Sequence, residues 1–263
     1  RRRGRPALVG GGLLLAMASV GTFIFVNTNV LNSFTTSPES EADMAAYDRA
    51  MTPMNDEAGP AIVSMRVAVD LDPRRRTLAA RGDYMLENRT GRPLKTFRLD
   101  IPADVADWKV SLDGSRQQED DYRIVTLTLD RPMAVGEQRR MSFESRMADN
   151  GFSTDGGSLS LVDNGSFLRS TQFLPKVGVA LSGYLTDSLA RERQGLPKTR
   201  PTRLASDPLA PQRGRGGNDW VTSDITITTA GDQIPVAPGR RVLDRLEHGR
   251  RVVRFVADVP MQA

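Results

Sequence analysis

From Ala61 onward, apolar side chains recur at every second position, and that rhythm restricts the fold more than any other feature of the chain. Ala61, Val63, Met65, Val67, Val69 and Leu71 fall on one side, with Ser64, Arg66 and Asp70 on the other. Successive side chains of an extended backbone alternate between faces, so a period of two predicts a half-buried strand; a helix would repeat every three or four. Asp72-Pro73 opens a turn. Leu78, Ala80, Tyr84 and Leu86 then point inward and Arg81, Asp83 and Glu87 outward, ahead of a turn at Asn88-Arg89-Thr90-Gly91. Phe97, Leu99 and Ile101 alternate again, as do Val125, Leu127 and Leu129, then Met141 and Phe143. The pattern resumes at Trp220 with Val221, Ile225 and Ile227. It closes in a hairpin, Arg241–Leu246 and Arg251–Ala257, turning at His248-Gly249. No long amphipathic helix intervenes, as a parallel α/β fold would require. The expectation is a mainly β domain over residues 61–263, an antiparallel sandwich or saddle-shaped sheet.

The chain ahead of this domain is of another kind. Pro6 to Val26 carries no charge, and Leu13–Leu15, Val20 and Phe23–Val26 are strongly apolar. A helix of this length measures about 31 Å, against a bilayer core of about 30 Å. Residues 6–26 are therefore expected to form a transmembrane helix. Residues 1–5, with Arg1, Arg2, Arg3 and Arg5, would be its cytoplasmic flank, with everything after Asn27 outside. The expected location is the inner membrane of the cell, the lipid bilayer being a partner. A cleaved signal peptide is the rival reading, because Ala16-Met17-Ala18 fits a processing site. Against it, the apolar run continues through Phe23-Ile24-Phe25-Val26. Either way the remainder leaves the cytoplasm. Position 1 is Arg, so the sequence is read as a piece of a longer polypeptide or a processed product.

Residues 27–60 are expected to be a connector holding one short helix. Ser37 is its N-cap, Pro38 its first helical residue, and Glu39, Glu41 and Asp43 lie toward the positive end of its dipole; it ends near Met51, before Pro53. It reads as a spacer packed on the domain edge. Residues 189–218 carry Gly195, Pro197, Pro201, Pro208, Pro211 and Gly214-Arg215-Gly216-Gly217, and are expected to be a solvated flexible loop.

Charge and composition exclude several functions. There are 36 Lys+Arg and 32 Asp+Glu, but four of the arginines precede the apolar run, so the domain itself is balanced. A nucleic-acid binder concentrates positive charge in its domain, so no nucleic-acid partner is expected. Cysteine is absent and His248 is the single histidine, which excludes disulfides, thiolate metal sites and a His-Glu-x-x-His zinc motif. His248 beside Gly249 reads as an exposed turn residue. No Gly-x-Ser-x-Gly elbow is present. Glu119-Asp120-Asp121 reads as a solvated turn, because no loop of calcium ligands surrounds it. The sequons at Asn88 and Asn164 lie in turns, and Gly10–Gly12 belong to the apolar span rather than to a phosphate cradle. No catalytic and no metal-ligating residue is assigned.

Several stretches, in order, resemble one family. Val26-Asn27-Thr28-Asn29-Val30-Leu31-Asn32 after the span is similar to bacterial proteins that join an ABC-type transporter permease to an aminopeptidase N-like zinc peptidase. The resemblance continues through Val67–Pro73, Tyr84–Thr90, Asn164–Leu168 and Phe173–Gly178. Its most specific block is Asp219-Trp220-Val221 followed by Asp232–Gly239. It implies an N-terminal saddle-shaped β-domain that packs against a thermolysin-like catalytic domain. The zinc cofactor and its ligands would lie downstream, with permease spans upstream in the same polypeptide. It also implies a role for Gln172 in Ser170-Thr171-Gln172-Phe173, as a residue lining the pocket for the amino terminus of a peptide substrate. The alternative is an ordinary exposed or edge-strand glutamine.

Two functions therefore stand. One is the non-catalytic anchor and β-domain of a zinc aminopeptidase-like protein, positioning peptides for a catalytic domain beyond this sequence. The other is an anchored extracytoplasmic binding or structural module associated with an ABC-type transporter.

Overall fold

The computed structural model of the chain describes residues 4–54, 57–149, 160–179, 183–200 and 220–262. Arg1–Arg3 of the basic flank, Asp219, and residues 201–218 of the predicted loop lie outside the described residues.

The fold is mainly β, with an apolar helix ahead of it. Helix α1 (Gly4–Phe25) continues without a break into a π-helical turn, Val26–Val30. The polar connector predicted from Asn27 thus begins as helix. Wider i→i+5 bonding leaves carbonyls of the last α turn without their usual partners, and the polar side chains supply replacements. Asn27 Nδ2 donates to Phe23 O at 2.7 Å, Thr28 Oγ1 to Ile24 O at 2.8 Å and Asn29 Nδ2 to Phe25 O at 3.3 Å. Leu8–Val30 is one helix long and apolar enough to cross a membrane, and also fits a signal sequence.

Helix α2 (Ser37–Met51) is capped one residue earlier than predicted. Thr36 is the N-cap, and its backbone N–H and hydroxyl both donate to the Glu39 carboxylate, at 2.8 and 2.7 Å. Its buried face carries Ala45, Asp48 and Met51. Met51 packs with Ile124 and Tyr184, and the Tyr47 ring stands edge-on to Tyr122 and Tyr184 with centroids 5.6 and 5.3 Å away. The helix is thereby fixed to the β-domain.

The strands are β1 (Ala61–Asp72), β2 (Thr77–Glu87), β3 (Leu94–Asp100), β4 (Asp107–Leu112), β5 (Ser115–Glu119) and β6 (Ile124–Met133). They continue as β7 (Gln138–Ala148), β8 (Lys176–Val177), β9 (Trp220–Ala230), β10 (Arg240–Glu247), β11 (Arg250–Val256) and β12 (Met261–Gln262). Two short helices, α3 (Ser170–Phe173) and α4 (Ser188–Arg193), lie between β7 and β9. The large sheet runs β10-β11-β9-β1-β2-β7-β4, with β12 added to β9, and the small one runs β5-β6-β3-β8. Both contribute to one core. Leu78, Tyr84, Leu86, Met141 and Phe143 come from the large sheet, and Phe97, Leu99, Val125, Leu127 and Leu129 from the small one.

Most of the predicted inward positions are buried, and the departures have local causes. A bulge between Ile62 and Ser64 adds one residue to β1, so Ile62 is buried while Ala61 and Val63 are only half-buried. β1 pairs with β9 in parallel, from Ser64↔Thr222 to Asp70↔Thr228. A parallel pair requires a long crossover, and here the whole small sheet lies in the chain between the two strands. β4 and β5, which the alternation did not single out, are separated only by Asp113-Gly114, where the chain passes from the large sheet to the small one. The predicted loop from Leu189 starts within α4, because Asp187 caps it by accepting from Ala190 N–H at 2.7 Å. The last hairpin turns at His248-Gly249 as expected; their φ values of 49° and 76° match the two-residue turn that twisted strands favour.

Candidate functional site

Gln172, the one substrate-binding residue implied by sequence, sits in the single turn α3 rather than on an edge strand. Its amide closes that turn: Oε1 accepts the Arg169 N–H at 2.8 Å and Nε2 donates to Ser160 Oγ at 3.2 Å. The turn itself is pinned to the inner face of the large sheet. Ser145 Oγ donates to Phe173 O at 2.5 Å, and the buried Tyr84 hydroxyl donates to Pro175 O at 3.2 Å. Burial pushes the Tyr84 phenol well above its ordinary range, so it acts as a fixed donor. Gln172 is half-buried, and its carbonyl oxygen keeps one lone pair for a further donor.

Segments that are distant in sequence meet around this region. The Tyr84–Pro175 bond joins the Tyr84–Thr90 stretch to Phe173–Gly178. Gln233 Nε2 donates to Asp163 O at 2.8 Å, and Arg74 reaches Asp163 and Asp232 at 3.6 and 3.4 Å. The stretches ending at Pro73, starting at Asn164 and starting at Asp232 therefore share one corner of the domain.

A second feature was not singled out in the sequence. The outer face of the large sheet is hollowed into a trough of about 700 Å³. Its long axis follows two rows of cross-strand neighbours. One row reads Arg254, Thr226, Ala68, Arg81, Glu144, Lys109 from β11 to β4. The adjacent row carries Asp224, Arg66, Asp83, Ser142 and Ser111. Small side chains at Ala68, Thr226, Ser142 and Ser111 make the floor, and long charged ones make the walls.

Apart from Asp83, which Arg140 approaches at 3.8 Å, the charges of the trough fall into two groups. Arg254 grips Asp224 through Nε and Nη2, both at 2.7 Å, and Arg66 approaches the same carboxylate at 3.7 Å. That grip holds Asp224 below the ordinary carboxylate range and raises Arg254. Arg81, Glu144 and Lys109, next to one another in the first row, have no ion pair among the described residues. Sequence alternation had marked Arg66, Arg81 and Asp83 as outward-facing. Lys109, Ser111, Ser142 and Glu144 went unremarked, although Trp108, Val110 and Leu112 ahead of Asp113-Gly114 carry the period-two signal of β4.

The remaining sequence features are structural. Asn88 is fully buried: its Nδ2 donates to Arg92 O and Met133 O at 2.8 and 2.7 Å, and its Oδ1 accepts from Thr90 N–H and Oγ1 at 3.0 and 2.7 Å. Asp120 of the acidic run accepts from Tyr122 and Ile124 N–H, both at 2.9 Å, and shapes the β5–β6 turn. Among the described residues no three His, Cys, Asp or Glu side chains gather to hold a metal, so the described residues do not fit a zinc site.

No protein-family profile matches this chain, and no curated protein does. Among solved structures it is similar to an M1 zinc metallopeptidase from Deinococcus radiodurans, with a TM-score of 0.47 and 16% identity over 78% of this chain and 40% of that one. A mutant of that protein bound to a Tyr-Ser-Ala substrate gives the same figures. A two-domain M1 zinc metallopeptidase mutant bound to L-arginine is similar at a TM-score of 0.46 and 17% identity, over 78% of this chain and 40% of that one. The chain thus spans 40% of the length of these proteins, and likenesses this slight transfer neither family nor activity.

Proposed function

We propose that this chain is the membrane-anchored, non-catalytic β-domain of an aminopeptidase N-like zinc peptidase. It holds peptides for a catalytic domain elsewhere in the polypeptide. The observation that carries the reading is the Tyr84–Pro175 bond, which joins two of the resembling stretches, with Gln233–Asp163 and the Arg74 bridge bringing the ends of three others to one corner. Matches to one common domain are expected to lie near one another in its fold, whereas unrelated matches would scatter.

In this reading α1 crosses the inner membrane with its basic flank in the cytoplasm, and the β-domain stands outside. Permease spans of the ABC-transporter type precede it. Gln172 offers its free lone pair to the ammonium group of a peptide, and the bonds to Arg169 and Ser160 set the orientation of the amide beforehand. Zinc belongs to the downstream domain, which supplies the hydrolytic chemistry; the part of this chain is to bind and orient.

Sequencing the flanking reading frame tests the proposal. Continuation past Ala263 into a His-Glu-x-x-His motif is the expected result, and a stop codon there would overturn it. In the full-length enzyme, Gln172→Ala should raise KM for free-amino peptides more than it lowers kcat. The trough favours a second reading, an anchored binding module of a transporter, for which that stop codon would be the supporting result.

A further inference from the structure

We infer that the trough on the outer face of the large sheet binds an extended peptide segment bearing two acidic side chains with a basic one between them. The inference is independent of the peptidase reading, because Gln172 and α3 pack on the opposite face of that sheet.

Its basis is the order of charges along the first row. Lys109, Glu144 and Arg81 are cross-strand neighbours on β4, β7 and β2, so they read positive, negative, positive across the trough. Adjacent strands lie about 4.8 Å apart, which puts the two cations roughly 10 Å from each other with the carboxylate midway. None of the three is paired among the described residues, so each is available to an incoming group. Arg254 and Arg66 share one carboxylate, Asp224, and leave a further positive charge at the far end. Beside these walls, Ser111, Ser142 and Thr226 present hydroxyls that can bond a peptide main chain.

The alternation of sign selects the occupant. A uniform polyanion would lay charge over Glu144, Asp83 and Asp224, and like charges in close apposition oppose binding. A zwitterionic lipid headgroup has one anion and one terminal cation, and so fills only half of the row. A peptide carries both signs on one extended backbone. At about 3.3 Å per residue, five residues span roughly 17 Å, enough to cross Lys109, Glu144 and Arg81.

Fluorescence anisotropy on the full chain in detergent, at low salt, provides the test. The probe is the blocked, labelled peptide Ala-Glu-Gly-Lys-Gly-Glu-Ala, compared with its charge-inverted form, a Gln-substituted neutral form and polyglutamate. The acid-base-acid peptide is expected to bind most tightly, at least tenfold better than the inverted one. Arg81→Gln and Lys109→Gln should each weaken it about fivefold, while Arg245→Gln outside the trough leaves it unchanged. Glu144→Lys should transfer preference to polyglutamate, a gain that a misfolded variant cannot give. Equal binding of all four probes, tighter binding of polyglutamate to the unaltered chain, or displacement of the peptide by phosphatidylethanolamine vesicles would overturn the inference.

Discussion

Arg191 Nη1 donates to Asp48 Oδ2 at 2.5 Å, and both residues are 2% exposed although 143 positions separate them in sequence. The guanidinium also donates to Leu185 O and Pro197 O, each at 2.7 Å, and Thr52 Oγ1 donates to the other Asp48 oxygen at 3.0 Å. Arg191 Nε and Nη1 and both Asp48 oxygens are thereby engaged, and such bonding is what lets a buried ion pair be tolerated. Through it, α2 is locked to α4.

Removing one partner leaves the other charge buried and unpaired. Asp48→Ala or Arg191→Met should cost about 3–5 kcal/mol in urea unfolding and expose α2 to cleavage after Arg49 in limited proteolysis. The double change Asp48→Leu with Arg191→Met should recover most of that loss, because no orphan charge remains. Equal instability of the single and double variants would count against the lock.

Gly82 stands where β2 passes closest to β1. A Cβ there would lie 2.1 Å from the Arg66 carbonyl oxygen, a backbone atom that no rotamer change can move. Gly82→Ala should therefore destabilise by about 3 kcal/mol, at the upper end of overpacking costs, and reshape the trough that Arg66 and Gly82 line. Thermal unfolding and crystallography of the variant would check both effects.

The sequon at Asn88 should carry no glycan. Its amide has four internal hydrogen bonds and no exposure, so transfer of a sugar would require the turn to open. Intact-mass measurement after expression in a glycosylating host should show Asn88 unmodified. Asn88→Ala should cost about 1–3 kcal/mol, because the buried carbonyl of Met133 and the part-buried one of Arg92 lose their donor.

Stability should fall in acid, after a small early gain. Glu137 accepts from the Ala134 N–H and then from Arg139 and Arg131, which lowers its pKa to about 2. Asp224 and Asp244 are lowered by hydrogen bonds from Arg254 and Arg251. Such groups lend stability that is complete above an unfolded carboxylate pKa of about 4 and lost as pH falls through the depressed folded value. Asp149 has the opposite sign: burial raises it against the pull of Arg76, so its charged form subtracts stability until it is protonated. Urea titrations from pH 7 downward should show a slight rise as Asp149 takes its proton, then a decline below about pH 4. Asp149→Asn should abolish the rise and keep the decline.

The strands were legible because burial on one face of a sheet forces period two, and Leu78, Ala80, Tyr84 and Leu86 follow it without interruption. The apolar span was legible because a lipid-sized run of uncharged residues needs no partner to be recognised. Where one residue breaks the phase, as at the Ile62–Ser64 bulge, the pattern named the strand and misplaced only its first inward positions, Ala61 and Val63, while Val67 and Val69 are buried as expected. Gln172 was reached through resemblance alone, and its seat in a helical turn follows from Arg169 and Ser160, which alternation does not reveal.

By itself, the order of side chains determined a β-domain behind one apolar helix, because alternation and uncharged length are local quantities. Tertiary structure alone decided that β1 lies parallel to β9, that Asp48 finds Arg191, and that Lys109, Glu144 and Arg81 stand in one row. The physical reason is the same for all three. Each depends on which strand or helix packs beside which, and that is chosen by burial of the whole core, a sum over residues far apart in the chain.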